Sequence, residues 1–131
     1  MSKYPELSDA DSTIMEILWR DNEVSSASIV KEVERTLAWT RQTVRTYLKR
    51  LMDKKMVGTK EPRKRFFLYF PIVSKDEYLA DQAGSFFNRY YDSLSHMVAG
   101  IAKSEKISDS DLDDLEQLIK ELRNKEARED E

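Results

Sequence analysis

Apolar positions in the first 55 residues recur at helical spacing in three short segments. Ser8 is expected to cap the first helix, and Asp11, three residues later, completes a capping box. Ser25 or Ser26 is expected to cap the second helix, and Thr40 the third. The third helix is predicted to bury one stripe, made of Val44, Leu48 and Leu51. Three short helices with such tight connections predict a helix-turn-helix core.

The hydrophobic pattern changes after residue 55 from helical to strand-like. Residues 56–60 and 66–70 are predicted strands, residues 61–65 form the turn between them, and Pro71 ends the second strand. Because the second strand is an unbroken apolar run, we expect both of its faces to be covered. Three helices followed by one β-hairpin predict a winged helix in a mainly α-helical fold with a small β-hairpin.

The C-terminal half is predicted to consist of two helices. Ser74 is expected to cap a long one, whose apolar positions from Leu79 to Ile101 step by three or four residues and in which Gly100 marks a bend. The last helix is expected to start at Ser108. Two helices of one chain cannot cover apolar faces this wide, so we expect a homodimer. The predicted dimerisation residues are Phe86, Phe87, Tyr90, Tyr91, Leu94, Met97, Leu112, Leu115, Leu118, Ile119 and Leu122.

Charge separates the two halves of the chain, whose formal net charge is −3. Residues 1–71 hold 14 basic and 10 acidic side chains, whereas residues 72–131 hold 8 and 15. Residues 41–65 alone contain ten Lys or Arg and two acids, and these basic residues alternate with apolar ones at regular spacing. Such a surface is typical of a folded nucleic-acid-binding domain. We therefore expect residues 1–72 to bind double-stranded DNA and residues 73–131 to form a helical dimerisation domain.

The third helix carries the first set of candidate DNA contacts, because its N-terminal turn enters the major groove in helix-turn-helix proteins. Gln pairs with adenine, Arg with guanine, and a Thr methyl packs on thymine. The residues expected to read or flank bases are Thr40, Arg41, Gln42, Thr43, Arg45 and Thr46. Those expected to hold phosphates are Lys49 and Arg50, with Lys54 and Lys55 beyond them, and the basic hairpin tip Arg63, Lys64 and Arg65.

Other interpretations of the basic residues stay open. The helix face is alternatively an ordinary solvated surface, and the hairpin tip a solubilising turn that protects an edge strand. A rival from another functional class is a winged helix that docks its basic face on an acidic protein partner.

The sequence also argues against several kinds of chemistry. There is no cysteine, so disulfides, thiolate metal sites and cysteine nucleophiles are excluded. His96 is the only histidine and makes a poor metal ligand, and the acids of residues 109–116 suit the first turns of a helix. We expect no enzyme, no metal and no cofactor. No apolar run has the length of a signal peptide or membrane span, so a cytoplasmic protein is expected.

Three motifs occur along the chain in a fixed order: Leu7-Ser8-Asp9-Ala10 leading into Ile14-Met15-Glu16-Ile17-Leu18-Trp19, then Thr43-Val44-Arg45-Thr46 followed by Leu48 and Arg50-Leu51, and finally Phe67-Leu68-Tyr69. Together these motifs resemble the penicillinase-repressor family of winged-helix regulators, which includes β-lactamase, methicillin-resistance and copper-responsive repressors. The resemblance implies a homodimeric repressor that binds an inverted-repeat operator, of β-lactamase or related resistance genes.

The resemblance also implies a route of induction. In the β-lactam branch a membrane sensor peptidase leads to cutting of the repressor in its dimerisation region, at an Asn-Phe bond just before an Ala-Lys pair. The matching place in this chain is Gly100-Ile101, before Ala102-Lys103. The copper branch carries paired C-terminal cysteines, which this chain lacks; a copper-branch repressor truncated before its cysteines is the alternative.

Overall fold

The computed structural model describes residues 2–129, in which helices predominate over a small antiparallel sheet, as the sequence predicts. The helices are α1 (Asp9–Asp21), α2 (Ser26–Leu37), α3 (Arg41–Asp53), α4 (Lys75–Tyr90), α5 (Leu94–Ser104) and α6 (Asp109–Glu129). The strands are β1 (Val24–Ser25), β2 (Val57–Arg63) and β3 (Phe66–Pro71). The chain divides between Asn88 and Arg89 into two compact units, here called unit 1 and unit 2.

Side-chain caps begin the first three helices where the sequence predicts. Ser8 accepts a hydrogen bond from the backbone N–H of Asp11, and the Asp11 carboxylate accepts one from the backbone N–H of Ser8. Ser25 rather than Ser26 caps α2, and Thr40 caps α3. Only residues 38–40 connect α2 to α3, which is the short connection of a helix-turn-helix.

One apolar core lies between α1, α2, α3 and the sheet of unit 1. The predicted stripe of α3 is confirmed, since Val44, Leu48 and Leu51 are each at most 1% exposed. The other buried apolar residues are Ile14, Met15, Ile17, Leu18, Val24, Ile29, Val33, Met56, Val57 and Val73. Because α3 buries one face so completely, its opposite face is the one that points to solvent.

The sheet has three strands in the order β1-β3-β2, all antiparallel. The sequence did not indicate β1, because two residues are too short to show an alternating pattern. The predicted turn at residues 61–65 is too long: β2 continues to Arg63 and pairs with Phe66, which leaves a two-residue turn. The register shifts between Lys60 and Arg63, and this irregular part of an edge strand accommodates Pro62.

The expectation that both faces of β3 are covered is wrong for Phe67, which is 45% exposed. Phe67 lies on the same face of the strand as Tyr69, whose ring packs against the core. It is two residues nearer the tip of the hairpin, where about half of its side chain stays in contact with solvent. An apolar run in the sequence does not show where along a strand the core ends.

The predicted single long helix after Ser74 is also wrong, although Ser74 does cap α4 by accepting from the backbone N–H of Glu77. Residues 91–93 interrupt it, and Ser93 starts α5 by accepting from the backbone N–H of His96. Asp and Ser side chains compete with helical hydrogen bonding in this way. The break therefore lies at residues 91–93, and α5 continues through Gly100.

The last helix begins as predicted. Ser108 and Asp111 exchange side-chain-to-backbone hydrogen bonds of 3.1 and 3.0 Å, which form a second capping box. Across residues 2–129, no helix is both long enough and apolar enough to cross a membrane.

Candidate nucleic-acid interface

The exposed face of α3 presents the predicted base-reading side chains. Arg41, Gln42 and Arg45 are exposed, while Val44 and Leu48 face the core. The helix thus has a buried side and a solvent side within one turn. Three long polar side chains at the N-terminal end of α3 are therefore accessible to a ligand.

The three threonines of this turn have different surroundings. Thr40 and Thr43 lie 3.1 Å apart through their hydroxyl oxygens, and Thr40 also accepts from the backbone N–H of Thr43 at 3.2 Å. The hydroxyl of Thr46 donates to the carbonyl oxygen of Gln42 at 3.0 Å. Thr40 and Thr43 therefore stabilise the helix start, and the exposed Thr46 can offer its methyl group to a ligand.

An aromatic stack accompanies the basic side chains further along α3. The rings of Trp39 and Tyr47 are 5.2 Å apart and nearly parallel, and the Arg50 guanidinium lies 5.5 Å from the Tyr47 ring. A guanidinium over an aromatic ring is attracted by the ring's quadrupole and loses some freedom of movement. Trp39 and Tyr47 are not among the predicted site residues, although the spacing of Tyr47 and Arg50 by three residues is a signal for contact on a helix.

Lys54 is engaged with a buried carboxylate and is therefore not a simple phosphate contact as the sequence suggested. Its ammonium group donates to Asp11 at 2.8 Å, and the Asp11 side chain is fully buried. Burial alone would raise the pKa of the Asp11 carboxyl, but hydrogen bonds from Lys54 and Ser8 outweigh it and hold that pKa below its usual value. The contact ties the end of α3 to the start of α1.

The tip of the β-hairpin, here called the wing tip (Arg63, Lys64 and Arg65), is exposed and organised by local contacts. Arg63 lies with its guanidinium 4.3 Å from the Phe66 ring. Arg65 adopts a left-handed backbone conformation with φ of 64°, and its N–H donates to the Glu61 carboxylate at 3.0 Å. Glu61, one of two acids in the basic segment, thus shapes the turn that carries the three positive charges.

The basic helix and the basic hairpin belong to the same compact unit, because α3 packs against β2 within unit 1. Not every basic residue of the segment is unpaired: Lys60 forms an ion pair with Glu23. The side chains left to face a polyanion are those of the α3 outer face and the wing tip. Arg, Lys and Gln side chains of this kind bind the phosphates of duplex DNA and the base edges in its grooves.

The predicted dimerisation residues keep large exposed surfaces in the single chain. In unit 2, α5 and α6 bury none of their side chains, and Leu94, Leu112, Leu118, Ile119 and Leu122 are all about half exposed or more. Leu115 is 38% exposed. Phe86 at the end of unit 1 and Tyr90 at the start of unit 2 are also exposed, whereas Phe87, Tyr91 and Met97 are half-buried.

No metal centre accompanies these surfaces in the part of the chain that the structure describes. Residues 2–129 contain no group of three or more His, Cys, Asp or Glu side chains that could hold a metal ion. The features that remain are a basic surface on unit 1 and an apolar one on α5 and α6.

Comparison with known proteins gives relatives over almost the whole length. The penicillinase repressor of Bacillus licheniformis is 29% identical over 126 residues, which cover 95% of this chain and 98% of the relative. The methicillin resistance regulatory protein MecI of Staphylococcus aureus (strain N315) is 24% identical over 119 residues, with coverage of 90% and 96%.

Two solved structures of the repressor BlaI match 60% of this chain. The DNA-binding domain of the repressor BlaI is 29% identical, with a TM-score of 0.52 over 60% of this chain and 94% of that domain. The Bacillus licheniformis BlaI monomeric form in complex with the blaP half-operator matches with 29% identity and a TM-score of 0.51, over 60% of this chain and 94% of that chain.

The family model described as "Penicillinase repressor" matches residues 7–121, which include the helix-turn-helix, the wing and most of the C-terminal helices. Its members are transcriptional repressors rather than enzymes. Since this match extends over most of the sequence, the chain belongs to the penicillinase repressor family of DNA-binding transcriptional regulators.

Proposed function

We propose that this protein is a homodimeric repressor that binds an inverted-repeat operator, of a β-lactamase gene or a related resistance gene. The observation that carries the proposal is the solvent-facing part of α3, where Arg41, Gln42 and Arg45 are exposed on the same helix that buries Val44, Leu48 and Leu51. A helix held in this way can enter a major groove without disturbing its own core.

The proposed contacts divide between bases and phosphates. Arg41, Gln42 and Arg45 read base edges, and Thr40, Thr43 and Thr46 flank them. Phosphates are held by Lys49 and by Arg50, which Tyr47 supports, together with the wing tip. Bidentate Arg and Gln contacts supply sequence preference, whereas the other positive charges supply affinity that depends on salt.

Two copies of the chain are proposed to occupy one operator, with residues 1–72 on the DNA and residues 73–131 joining the copies. The solved Bacillus licheniformis BlaI complex pairs a monomeric form with a half-operator. The exposed leucines of α6 support self-association, because apolar surfaces of this kind are rarely left in contact with water. An inverted repeat is the DNA counterpart of a two-fold symmetric dimer.

Release from the operator is proposed to follow cutting of the dimerisation region, at Gly100-Ile101, by a pathway that starts from a sensor peptidase. This bond lies within α5, where the carbonyl oxygen of Ile101 accepts from the backbone N–H of Glu105 at 2.8 Å. Both residues are exposed. Cutting at this bond therefore requires local unwinding near the end of α5.

The experiment that tests DNA recognition is selection of binding sites from random duplexes, followed by affinity measurements on the selected site and on a scrambled duplex over a range of salt concentrations. We expect an inverted repeat. Replacing Arg45 by Ala should weaken binding to the selected site by about tenfold or more and affect the scrambled duplex much less. Lys64→Ala should weaken both duplexes alike and reduce the salt slope by about one unit.

Arg128→Ala is the matched control, because it removes one positive charge from the exposed end of α6 and should change neither affinity. An unchanged affinity of Arg45→Ala for the selected site would overturn the assignment of α3. Failure to enrich any sequence, with binding to an acidic protein instead, would favour the interaction-module function.

A further inference from the structure

Residues 3–7, here called the N-terminal strap, are hydrogen-bonded to the second turn of α4. The Asp81 carboxylate accepts from two consecutive backbone N–H groups, those of Lys3 at 2.7 Å and Tyr4 at 3.0 Å. The Gln82 amide donates to the carbonyl oxygen of Tyr4 at 3.3 Å and to Asp81 at 3.1 Å. The Asp81 carboxylate therefore accepts from two donors that are more than 70 residues away in sequence and from its neighbour Gln82.

Tyr78 adds a second attachment one turn earlier. Its hydroxyl accepts from the backbone N–H of Leu7 at 3.2 Å, and its ring lies 5.8 Å from that of Trp19. The Trp19 indole N–H in turn donates to the carbonyl oxygen of Val73, just before α4, at 2.8 Å. The strap and α1 thus both contact Tyr78 of α4 within unit 1.

These polar contacts matter because α4 makes few apolar contacts with the rest of unit 1. It buries none of its side chains completely, and Tyr78 is its one residue that packs against the buried core. Leu79 and Phe86 are each about half exposed. Hydrogen bonds are directional whereas apolar contact is not, so the strap contacts constrain the direction of α4 in a way that its few apolar contacts do not.

The ion pair at the start of the helix cannot replace the strap. Lys75 donates to Glu16 at 3.0 Å, but both side chains are about half exposed. Exposed pairs of this kind contribute little and leave the partners free to rearrange. The Asp81 carboxylate differs in that it accepts from backbone N–H groups rather than from a flexible side chain, and the N–H of Lys3 lowers its pKa.

The direction of α4 has a consequence for DNA because this helix continues across the boundary between the two units, to Tyr90. We propose that the N-terminal strap and Asp81 determine which half-site spacing the repressor accepts, by fixing the direction in which α4 leaves the DNA-binding unit. This inference rests on the proposed function as a dimer on an inverted repeat. The strap residues act as positioning residues and touch no base.

The physical basis is the geometry of the DNA helix. One added base pair moves a half-site by about 3.4 Å and turns it by about 34°. A dimer whose α4 helices are held firmly binds one spacing well and its neighbours poorly. If α4 can pivot, the dimer loses less affinity on an operator of the wrong spacing. Its affinity for the operator of the right spacing also falls, because the second DNA-binding unit then has a lower effective concentration at the second half-site.

The experiment compares the full-length protein with Asp81→Ala on duplexes that carry the selected inverted repeat, the same repeat with one base pair added or removed, and an isolated half-site. We expect Asp81→Ala to bind the isolated half-site with an affinity within about twofold of that of the original protein. The ratio between its affinity for the selected repeat and its affinity for the repeats with one base pair added or removed should be roughly tenfold smaller than in the original protein. Asp76→Ala is the matched control, since it removes an exposed carboxylate of the same helix; it should keep the original ratio.

Three results would overturn the inference. Asp81→Ala could keep the full spacing preference, it could lose half-site and full-operator affinity equally, or Asp76→Ala could relax the preference to the same degree. An unsubstituted protein that binds half-sites without any dependence on spacing would instead contradict the proposed dimer on an inverted repeat. The two failures are therefore distinguishable.

A second variant and a second measurement guard against loss of folding. Tyr78→Phe keeps the ring beside Trp19 and removes the acceptor for Leu7, so it should relax spacing in the same direction even if Asp81→Ala unfolds. Amide hydrogen exchange should show faster exchange at Lys3 and Tyr4 in Asp81→Ala, with the amides of α3 unchanged. Unchanged exchange at Lys3 and Tyr4 would mean that Asp81 does not hold the strap.

Discussion

At the scale of single residues, the carboxylate of Asp11 links the start of α1 to the end of α3. Its Oδ2 accepts from the Lys54 ammonium at 2.8 Å and from the Ser8 backbone N–H at 3.3 Å. Its Oδ1 is buried without a hydrogen-bond partner among the described residues. A buried acid with one unpaired oxygen depends strongly on the partner that it does have.

We therefore expect Lys54→Met to destabilise the protein by about 2 kcal/mol, because it removes the charged partner of a buried carboxylate and leaves the rest of the packing in place. Urea unfolding followed by circular dichroism measures the change. The control is Lys49→Met, an exposed position on the same helix, which should change stability by less than about 0.5 kcal/mol. Equal effects of the two substitutions would show that the ion pair contributes nothing.

The same pair makes stability depend on pH in a defined direction. The pKa of Asp11 is lower in the folded than in the unfolded chain, so its contribution is present above the unfolded value of about 3.9 and is lost as pH falls through the lower folded value. In Lys54→Met, burial of the carboxylate is opposed only by Ser8. The difference in unfolding free energy between the original protein and the variant should therefore shrink as pH falls from about 7 to about 3. A difference that stays constant over this range contradicts the assignment.

At the scale of elements, the wing depends on a close approach between its two strands. Gly58 pairs with Phe70, and a Cβ atom at position 58 would come within 2.5 Å of the Phe70 ring. The ring thus occupies the space that a side chain at position 58 would need. No turn or positive φ angle requires this glycine; the approach of the ring does.

Gly58→Ala is expected to displace the Phe70 ring and to destabilise the protein by about 1–2 kcal/mol, because overpacking of this kind forces side chains or backbone to shift. Thermal unfolding measures the effect. Gly84→Ala in α4 offers the matched contrast, since a Cβ there meets nothing within 4 Å and Ala favours a helix by about 0.5–1 kcal/mol over Gly. The prediction is wrong if both substitutions change the melting temperature in the same direction.

The helices show which local signals were readable in the sequence and which were not. Ser8 with Asp11 and Ser108 with Asp111 predicted helix starts correctly, because a cap involves residues only three apart. The break at residues 91–93 was missed because the apolar stripe continues across it. Ser93 is a possible helix cap in the sequence, but the spacing of apolar residues could not show that it would start a new helix rather than lie within a continuous one.

At the scale of the whole molecule, two kinds of surface belong to different parts of one chain. Residues 1–71 carry a net charge of +4 (14 basic and 10 acidic side chains) and residues 72–131 carry −7 (8 and 15). The exposed apolar surface of α6 lies in the acidic part. A repressor with this distribution would attract DNA to its N-terminal part and repel it from its C-terminal part.

We expect the double substitution Leu115→Asp and Ile119→Asp to dissociate the proposed homodimer, because it places two charges in an apolar surface that two copies would bury together. Sedimentation should show a dimer for the original protein and a monomer for the variant at the same concentration. Affinity for an inverted repeat should fall to that for one half-site. Gln117→Asp on the same helix is the control and should stay dimeric; a monomeric original protein would contradict the proposal.

The sequence by itself determined the features that depend on near neighbours along the chain: every helix start except that of α5, the buried stripe of α3, the strand period of the hairpin and the basic segment. Residues three or four apart leave a periodic or capping signal that can be recognised without knowing the fold. Only the tertiary structure decided that Lys54 pairs with Asp11, that Trp39 stacks on Tyr47, and that Asp81 holds the N-terminal strap. Lys54 and Asp81 meet partners 43 to 78 residues away. Such contacts leave no spacing in the sequence, because the folded core brings the partners together.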